Sequence, residues 1–223
     1  MAGIGILGGS FDPPHAGHLE LARHALEELR LERVVLMPLS SPPHKPAGRE
    51  PAPAQRLAMC RLAVAGEPGL DACALEVQRG GVSYTADTLQ ELHELHPEAE
   101  LTFIVGADTA ATLPAWHEPW RILRLASIAV ADRPGTGRDS VLRALGSVRD
   151  ERGRAVPARV RFLHMQPTEA SSTRARELLA AGLPTEGLVP PAVARYASEH
   201  GLYRAAGAAQ PLAGGPAAAG AGG

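Results

Sequence analysis

The chain has 223 residues, 45% of them apolar, and carries 22 Lys and Arg against 24 Asp and Glu. That is enough apolar material for a sizeable core in one large domain or two small ones. The near-balance of charge argues against a general nucleic-acid or anionic-membrane surface, while leaving room for a few cations aimed at a small phosphorylated ligand.

Short apolar runs bounded by turn residues predict strands at 4–7, 34–38, 72–77, 101–105, 127–131 and 160–164. Helical periodicity predicts helices between and after them, at 17–29, 54–65, 85–95, 116–125, 140–149, 172–180 and 191–198. Strands alternating with helices imply an α/β fold, a Rossmann-like doubly wound parallel sheet with helices on both faces. Ligands are then expected at the carboxyl ends of the strands, near the point where strand order reverses. The proline-rich segment 40–48 and the turn Arg133-Pro134-Gly135 read as loops. Residues 1–204 read as a single domain. Residues 205–223, rich in Ala, Gly and Pro, lack apolar periodicity and are expected to be disordered. The two cysteines, Cys60 and Cys73, suggest neither a disulfide framework nor a zinc site, so a reducing cytoplasm is expected. No leader pattern opens the chain and no apolar run approaches the ~18 residues of a membrane span.

The first strand runs into Gly8-Gly9-Ser10-Phe11-Asp12-Pro13-Pro14-His15-Ala16-Gly17-His18-Leu19. Two glycines are expected to turn the backbone sharply and let a ligand approach closely. With a helix beginning near Ala16, His15 and His18 fall on the same side of its first turn, where free N–H groups and the helix dipole attract anions. An imidazole there can donate to a phosphate oxygen, and protonation would strengthen the bond. The string is neither a dinucleotide fingerprint nor a P-loop. A zinc reading of His15 and His18 finds no third ligand at helical spacing.

The string resembles the (T/H)xGH signature of the nucleotidyltransferase superfamily, in the form found in bacterial nicotinate-mononucleotide adenylyltransferases. Ser10 stands where that family commonly has threonine. The later segments are similar to the family's other elements and keep their order. Ala170-Ser171-Ser172-Thr173-Arg174-Ala175-Arg176 resembles its serine-rich helix start; by itself it would be a capped helix with a solvated arginine. Glu76-Val77-Gln78-Arg79-Gly80-Gly81-Val82-Ser83-Tyr84-Thr85-Ala86-Asp87-Thr88-Leu89 resembles its mononucleotide segment; by itself it would be a strand end, a glycine turn and a hydroxyl-capped helix. Gly106-Ala107-Asp108 and Pro114-Ala115-Trp116 resemble its Gly-Ala-Asp and Pro-x-Trp elements. Pro42-Pro43-His44-Lys45 and Arg133-Pro134-Gly135 resemble its substrate loop and adenine-side turn.

The resemblance implies adenylyl transfer from ATP to nicotinate mononucleotide, giving deamido-NAD and pyrophosphate without a covalent intermediate. It implies catalytic roles for His15, His18 and Arg176. It implies ATP binding by Gly8, Gly9, Ser10, Phe11, His15, His18, Arg133, Ser171, Ser172 and Arg176, and mononucleotide binding by Lys45, Ser83, Tyr84, Thr85, Asp108 and Trp116. Mg²⁺ is expected to arrive on the ATP phosphates, with no dedicated protein ligands. No nucleic-acid or membrane partner is expected, and self-association into a homo-oligomer stays open. Nicotinamide mononucleotide or phosphopantetheine as second substrate, and a non-catalytic nucleotide-binding module, remain the competing readings.

Overall fold

The computed structural model describes residues 3–42, 51–132, 137–165 and 170–204. Its six strands are β1 (Gly3–Gly9), β2 (Arg33–Pro38), β3 (Leu70–Ala72), β4 (Glu100–Gly106), β5 (Ala126–Asp132) and β6 (Val160–His164). They form one sheet in the order β3-β2-β1-β4-β5-β6, and every neighbouring pair is parallel. The fold is therefore the expected Rossmann-like doubly wound sheet. Strand order reverses between β1 and β4, so the cleft for a ligand opens above the carboxyl ends of those two strands.

The helices are α1 (Ala16–Glu28), α2 (Pro53–Val64), α3 (Leu75–Arg79), α4 (Thr85–Leu95), α5 (Ala107–Thr112), α6 (Pro119–Leu125), α7 (Arg138–Gly146), α8 (Ser172–Ala181) and α9 (Pro191–Glu199). They bury both faces of the sheet. One core packs Ile6, Met37, Phe103, Val105 and Ile128 beneath α4 to α7. The other packs Leu7, Leu36, Ile104 and Leu163 beneath α1, α2, α8 and α9. Successive residues of β1 and β4 feed opposite cores, as the two-residue period of a strand requires.

Three expectations are corrected. The run 72–77 is not one strand: β3 stops at Ala72 and Leu75–Arg79 forms the short helix α3. The helix expected from Trp116 begins only at Pro119, whose fixed φ suits a first helical position, after Glu118 at φ 45°. Trp116 is left in the preceding loop, beyond a 3-10 turn over Leu113–Ala115, and α5 fills the space before that turn. Gly8 and Gly9 do not make the turn either. Both lie in β1, and the left-handed residue is Phe11 at φ 50°. What the site gains at Gly8 is the missing side chain, since a Cβ there would stand 3.3 Å from the Phe103 ring.

Candidate active site

The loop leaving β1 carries the first group of site residues. Phe11 is buried at 2% exposure, and its ring lies 4.9 Å from that of His18. His15 is the N-cap of α1 and His18 sits one turn inside, so the two rings come within 3.7 Å of each other, tilted by 32°. The His15 backbone N–H donates to His18 Nδ1 at 3.2 Å. An accepting Nδ1 assigns the His18 proton to Nε2. Nδ1 of His15 is buried without a hydrogen-bond partner. Burial lowers His15 to about 4, and burial together with the neighbouring His15 lowers His18 to about 3. Both rings are therefore neutral at pH 7 in the protein alone, where the sequence suggested that protonation would help.

Residues 171–176 reach this loop from more than 150 positions away. Ser171 caps α8 by accepting from the Arg174 N–H at 3.2 Å. The Ser172 hydroxyl donates to the Pro13 carbonyl at 3.2 Å, and Arg176 Nη1 donates to the Asp12 carbonyl at 2.7 Å. Asp12 Oδ2 stands 3.6 Å from the same guanidinium. The two signature segments are thus joined by direct hydrogen bonds. A third segment closes the group: the Ala16 N–H donates to the Leu188 carbonyl at 2.8 Å. One of the free donors expected at the start of α1 is thereby used by the protein itself.

On the other side of the β1–β4 opening lies a cavity of about 560 Å³ bordered by Ser83, Tyr84, Thr85, Thr112, Trp116 and His117. Trp116 donates its indole N–H to Thr112 Oγ1 at 3.1 Å and meets Phe103 edge-on. One face of this loop tryptophan is thereby held at a fixed angle. The Tyr84 and His117 rings lie 4.3 Å apart, tilted by 38°. Thr85 opens α4, and its N–H and that of Ala86 precede the first intrahelical bonds, which run from Asp87 and Thr88 to the Tyr84 carbonyl. A smaller cavity of about 280 Å³ lies at the end of β1, bordered by Gly8, Gly9, Ser10, Glu76, Thr85 and Trp116. Asp108 lies exposed in the first turn of α5, at the end of β4. Lys45 and Arg133 lie outside the described residues, as does the segment 205–223.

Two residues of this region were not singled out from the sequence. Arg56 of α2 is 2% exposed and donates to the carbonyls of Ser10, Leu39, Ser40 and Pro51, which ties the ends of β1 and β2 together. The signal was present: Arg56, Met59, Cys60 and Ala63 share one buried helix face. Glu76 of α3 is 3% exposed and was hidden inside the supposed strand. Asp87, His117 and Glu118 also converge, but Arg121 already bonds both carboxylates. Among the described residues, no helix is long and apolar enough to cross a membrane.

Residues 6–178 match the Cytidylyltransferase-like family. A protein of Roseiflexus sp. (strain RS-1) named probable nicotinate-nucleotide adenylyltransferase is 44% identical over 203 residues, covering 91% of this chain and 98% of that protein. One of the same name from Bordetella avium is 42% identical over 209 residues, covering 92% and 100%. Among solved structures, the nicotinic acid mononucleotide adenylyltransferase of Plasmodium falciparum complexed with NaAD superposes with a TM-score of 0.72 at 18% identity, over 91% of this chain and 98% of that one.

Proposed function

Because the chain belongs to the cytidylyltransferase-like nucleotidyltransferases, and among them to the nicotinate-nucleotide adenylyltransferase family, we propose that it transfers the adenylyl group of ATP to nicotinate mononucleotide. The products are deamido-NAD and pyrophosphate, a step of NAD biosynthesis. The observation that carries this reading is the pair of bonds from Ser172 and Arg176 to the carbonyls at Pro13 and Asp12. They join the two signature segments into one group, the proposed phosphate-binding cradle, and the cavity bordered by Tyr84, Thr85 and Trp116 supports the mononucleotide reading.

The mononucleotide phosphate is already anionic, so it attacks the α-phosphorus in line with no general base and no enzyme nucleophile. Catalysis is then positioning and charge stabilisation. His15 and His18 face the triphosphate and the charge that develops at the α-phosphorus. As neutral imidazoles they donate hydrogen bonds, and an approaching anion raises their proton affinity. Arg176 spends one N–H on Asp12 and another on Thr173, and its remaining donors meet the departing pyrophosphate. Ser171, Ser172, Gly8, Gly9, Ser10, Phe11 and Arg133 complete the ATP side. Trp116 stacks on the pyridine ring, the N–H groups at the start of α4 receive its carboxylate, Ser83 and Tyr84 shape that end, Asp108 meets ribose hydroxyls, and Lys45 offsets phosphate charge.

Mg²⁺ fits this arrangement as an ion carried by the phosphates. Among the described residues, the ATP side offers imidazoles, hydroxyls and Arg176, and its carboxylate, Asp12, is held against that arginine and not against a second carboxylate. When bound, the ion neutralises charge on the phosphate oxygens. The test is pyrophosphate release from ATP with each mononucleotide offered separately. Release with nicotinate mononucleotide and much less with the nicotinamide form is the expected result. Equal turnover of both, or none with either, refutes the assignment.

A further inference from the structure

A buried carboxylate sits beneath the segment that would recognise the second substrate. Glu76 lies in α3, a helix of five residues, with its side chain 3% exposed. Buried carboxylates are costly and persist only when partners hold them. Here the Thr88 hydroxyl donates to Oε1 at 2.6 Å, while Arg79 Nη2 donates to Thr88 Oγ1 at 2.8 Å. The Ser83 hydroxyl favours the charged form of the same carboxyl, as do the Arg79 and Arg56 charges, against a burial that pushes its proton affinity up. Oε2 has no hydrogen-bond partner, and the residue borders the 280 Å³ cavity that runs to Ser10 and Trp116.

The partners of Glu76 bracket Tyr84 and Thr85. Ser83 immediately precedes them and Thr88 lies in the first turn that follows. Ser83 is fixed from its far side as well, since its Oγ accepts from the Ser40 N–H at 2.9 Å and its own N–H donates to the Ser41 carbonyl at 2.9 Å. The start of α4 is thus pinned between the end of β2 and one carboxylate. Its N-cap, Tyr84, makes no side-chain capping bond, so nothing in the cap itself fixes the direction of the Thr85 and Ala86 N–H groups.

We propose that Glu76 is a positioning residue for selection of the mononucleotide: by holding Thr88, while the end of β2 holds Ser83, it aims the first N–H groups of α4 at the pyridine carboxylate. The inference rests on the function proposed above. Glu76 bonds to Thr88 and to none of the ATP-side residues, which come from the end of β1, the loop after it, α1 and α8, so its loss is expected to act on recognition of the ring substituent.

The test is steady-state pyrophosphate release by the full chain and its Glu76→Gln, Glu76→Ala and Thr88→Val variants. Nicotinate mononucleotide, nicotinamide mononucleotide and ATP are each varied. Glu76→Ala is expected to raise KM for nicotinate mononucleotide about tenfold or more and to shrink discrimination against the nicotinamide form, with KM for ATP within about twofold and kcat within about threefold of the parent. Glu76→Gln keeps an acceptor for Thr88 and is expected to recover most of the loss. Thr88→Val removes one donor at constant shape and is expected to raise the same KM about threefold to tenfold. If Glu76→Ala does not fold, the glutamine and valine variants decide. The proposal is overturned if KM for ATP rises as much as KM for nicotinate mononucleotide, if discrimination is unchanged, if Thr88→Val leaves KM unaltered, or if the glutamine variant is no better than alanine. A parent protein that does not turn over nicotinate mononucleotide overturns the function itself, whereas an active parent with insensitive variants overturns only the role of Glu76.

Discussion

Lowering the pH from 7.5 to 5 should destabilise this protein through two histidines in particular. Burial holds His15 at about 4 and His18 at about 3, whereas both titrate near ~6.5 in the unfolded chain. Below pH ~6.5 the unfolded state therefore binds more protons than the folded one, and stability falls as pH falls, across the window from there down to the folded values. At pH 5 each group contributes a loss of about 1.36 kcal/mol for each of the ~1.5 pH units below the unfolded value, or about 2 kcal/mol, and the pair about 4 kcal/mol. That is a large share of the ~5–15 kcal/mol that separates folded from unfolded domains. The comparison to make is urea unfolding at both pH values for the parent and for a His15→Asn/His18→Asn double variant. Asparagine suits an N-cap and its side-chain oxygen can accept the bond now made to His18 Nδ1, so the helix start is preserved. The parent should lose about 4 kcal/mol more than the variant between the two pH values. Equal losses would refute the account, because other titrating groups, such as Glu67 and its Arg23 partner, are common to both proteins.

His18→Ala should lower kcat at least about a hundredfold, the ~2.7–4 kcal/mol typical of a lost oxyanion donor, in the pyrophosphate-release assay; parental turnover would remove His18 from the chemistry. Trp116→Ala should chiefly raise KM for the mononucleotide, read from the same assay, and unchanged KM would return the indole to a packing role against Phe103. Gly5→Ala should destabilise by about 1–3 kcal/mol in urea unfolding, because its Cβ would stand 2.8 Å from Leu31 and 2.9 Å from Ile104 and Val34.

The sequence was most legible where pattern and chemistry coincided. Helix Thr85–Leu95 and strand Val160–His164 fall on their expected bounds, since each has one clear period and one clear boundary. The run 72–77 failed because a short, nearly continuous apolar run does not distinguish a strand from one turn of helix. The buried Glu76 is what its six letters concealed. Pairing of the two signature segments was implied by resemblance to a family and not by spacing, because hydrogen bonds from Ser172 and Arg176 span 159 and 164 positions. Glycine content misled at the end of β1, where the backbone reversal belongs to Phe11, whose buried ring keeps a non-glycine residue at positive φ.

The way the two signature segments hold each other bears on how the site can work. Arg176 is bonded to a backbone carbonyl of the opposite loop, so under the proposed function the direction of its remaining N–H donors is set before any phosphate arrives, whereas Ser172 spends its one hydroxyl proton on Pro13. Preset donors need little reorganisation as charge develops, which is what makes fixed hydrogen-bond donors effective in a transition state. Arg176 suits the role better than lysine would, because a guanidinium has five N–H groups in a fixed fork and can bond Asp12 and Thr173 while others stay free. Arg56 likewise spends donors on the carbonyls of Ser10, Leu39 and Ser40 and fixes the loops that leave β1 and β2. Both arginines are thus anchored through carbonyls of the loops that follow β1 and β2, and the topology places the loop after β1 beside the opening between β1 and β4.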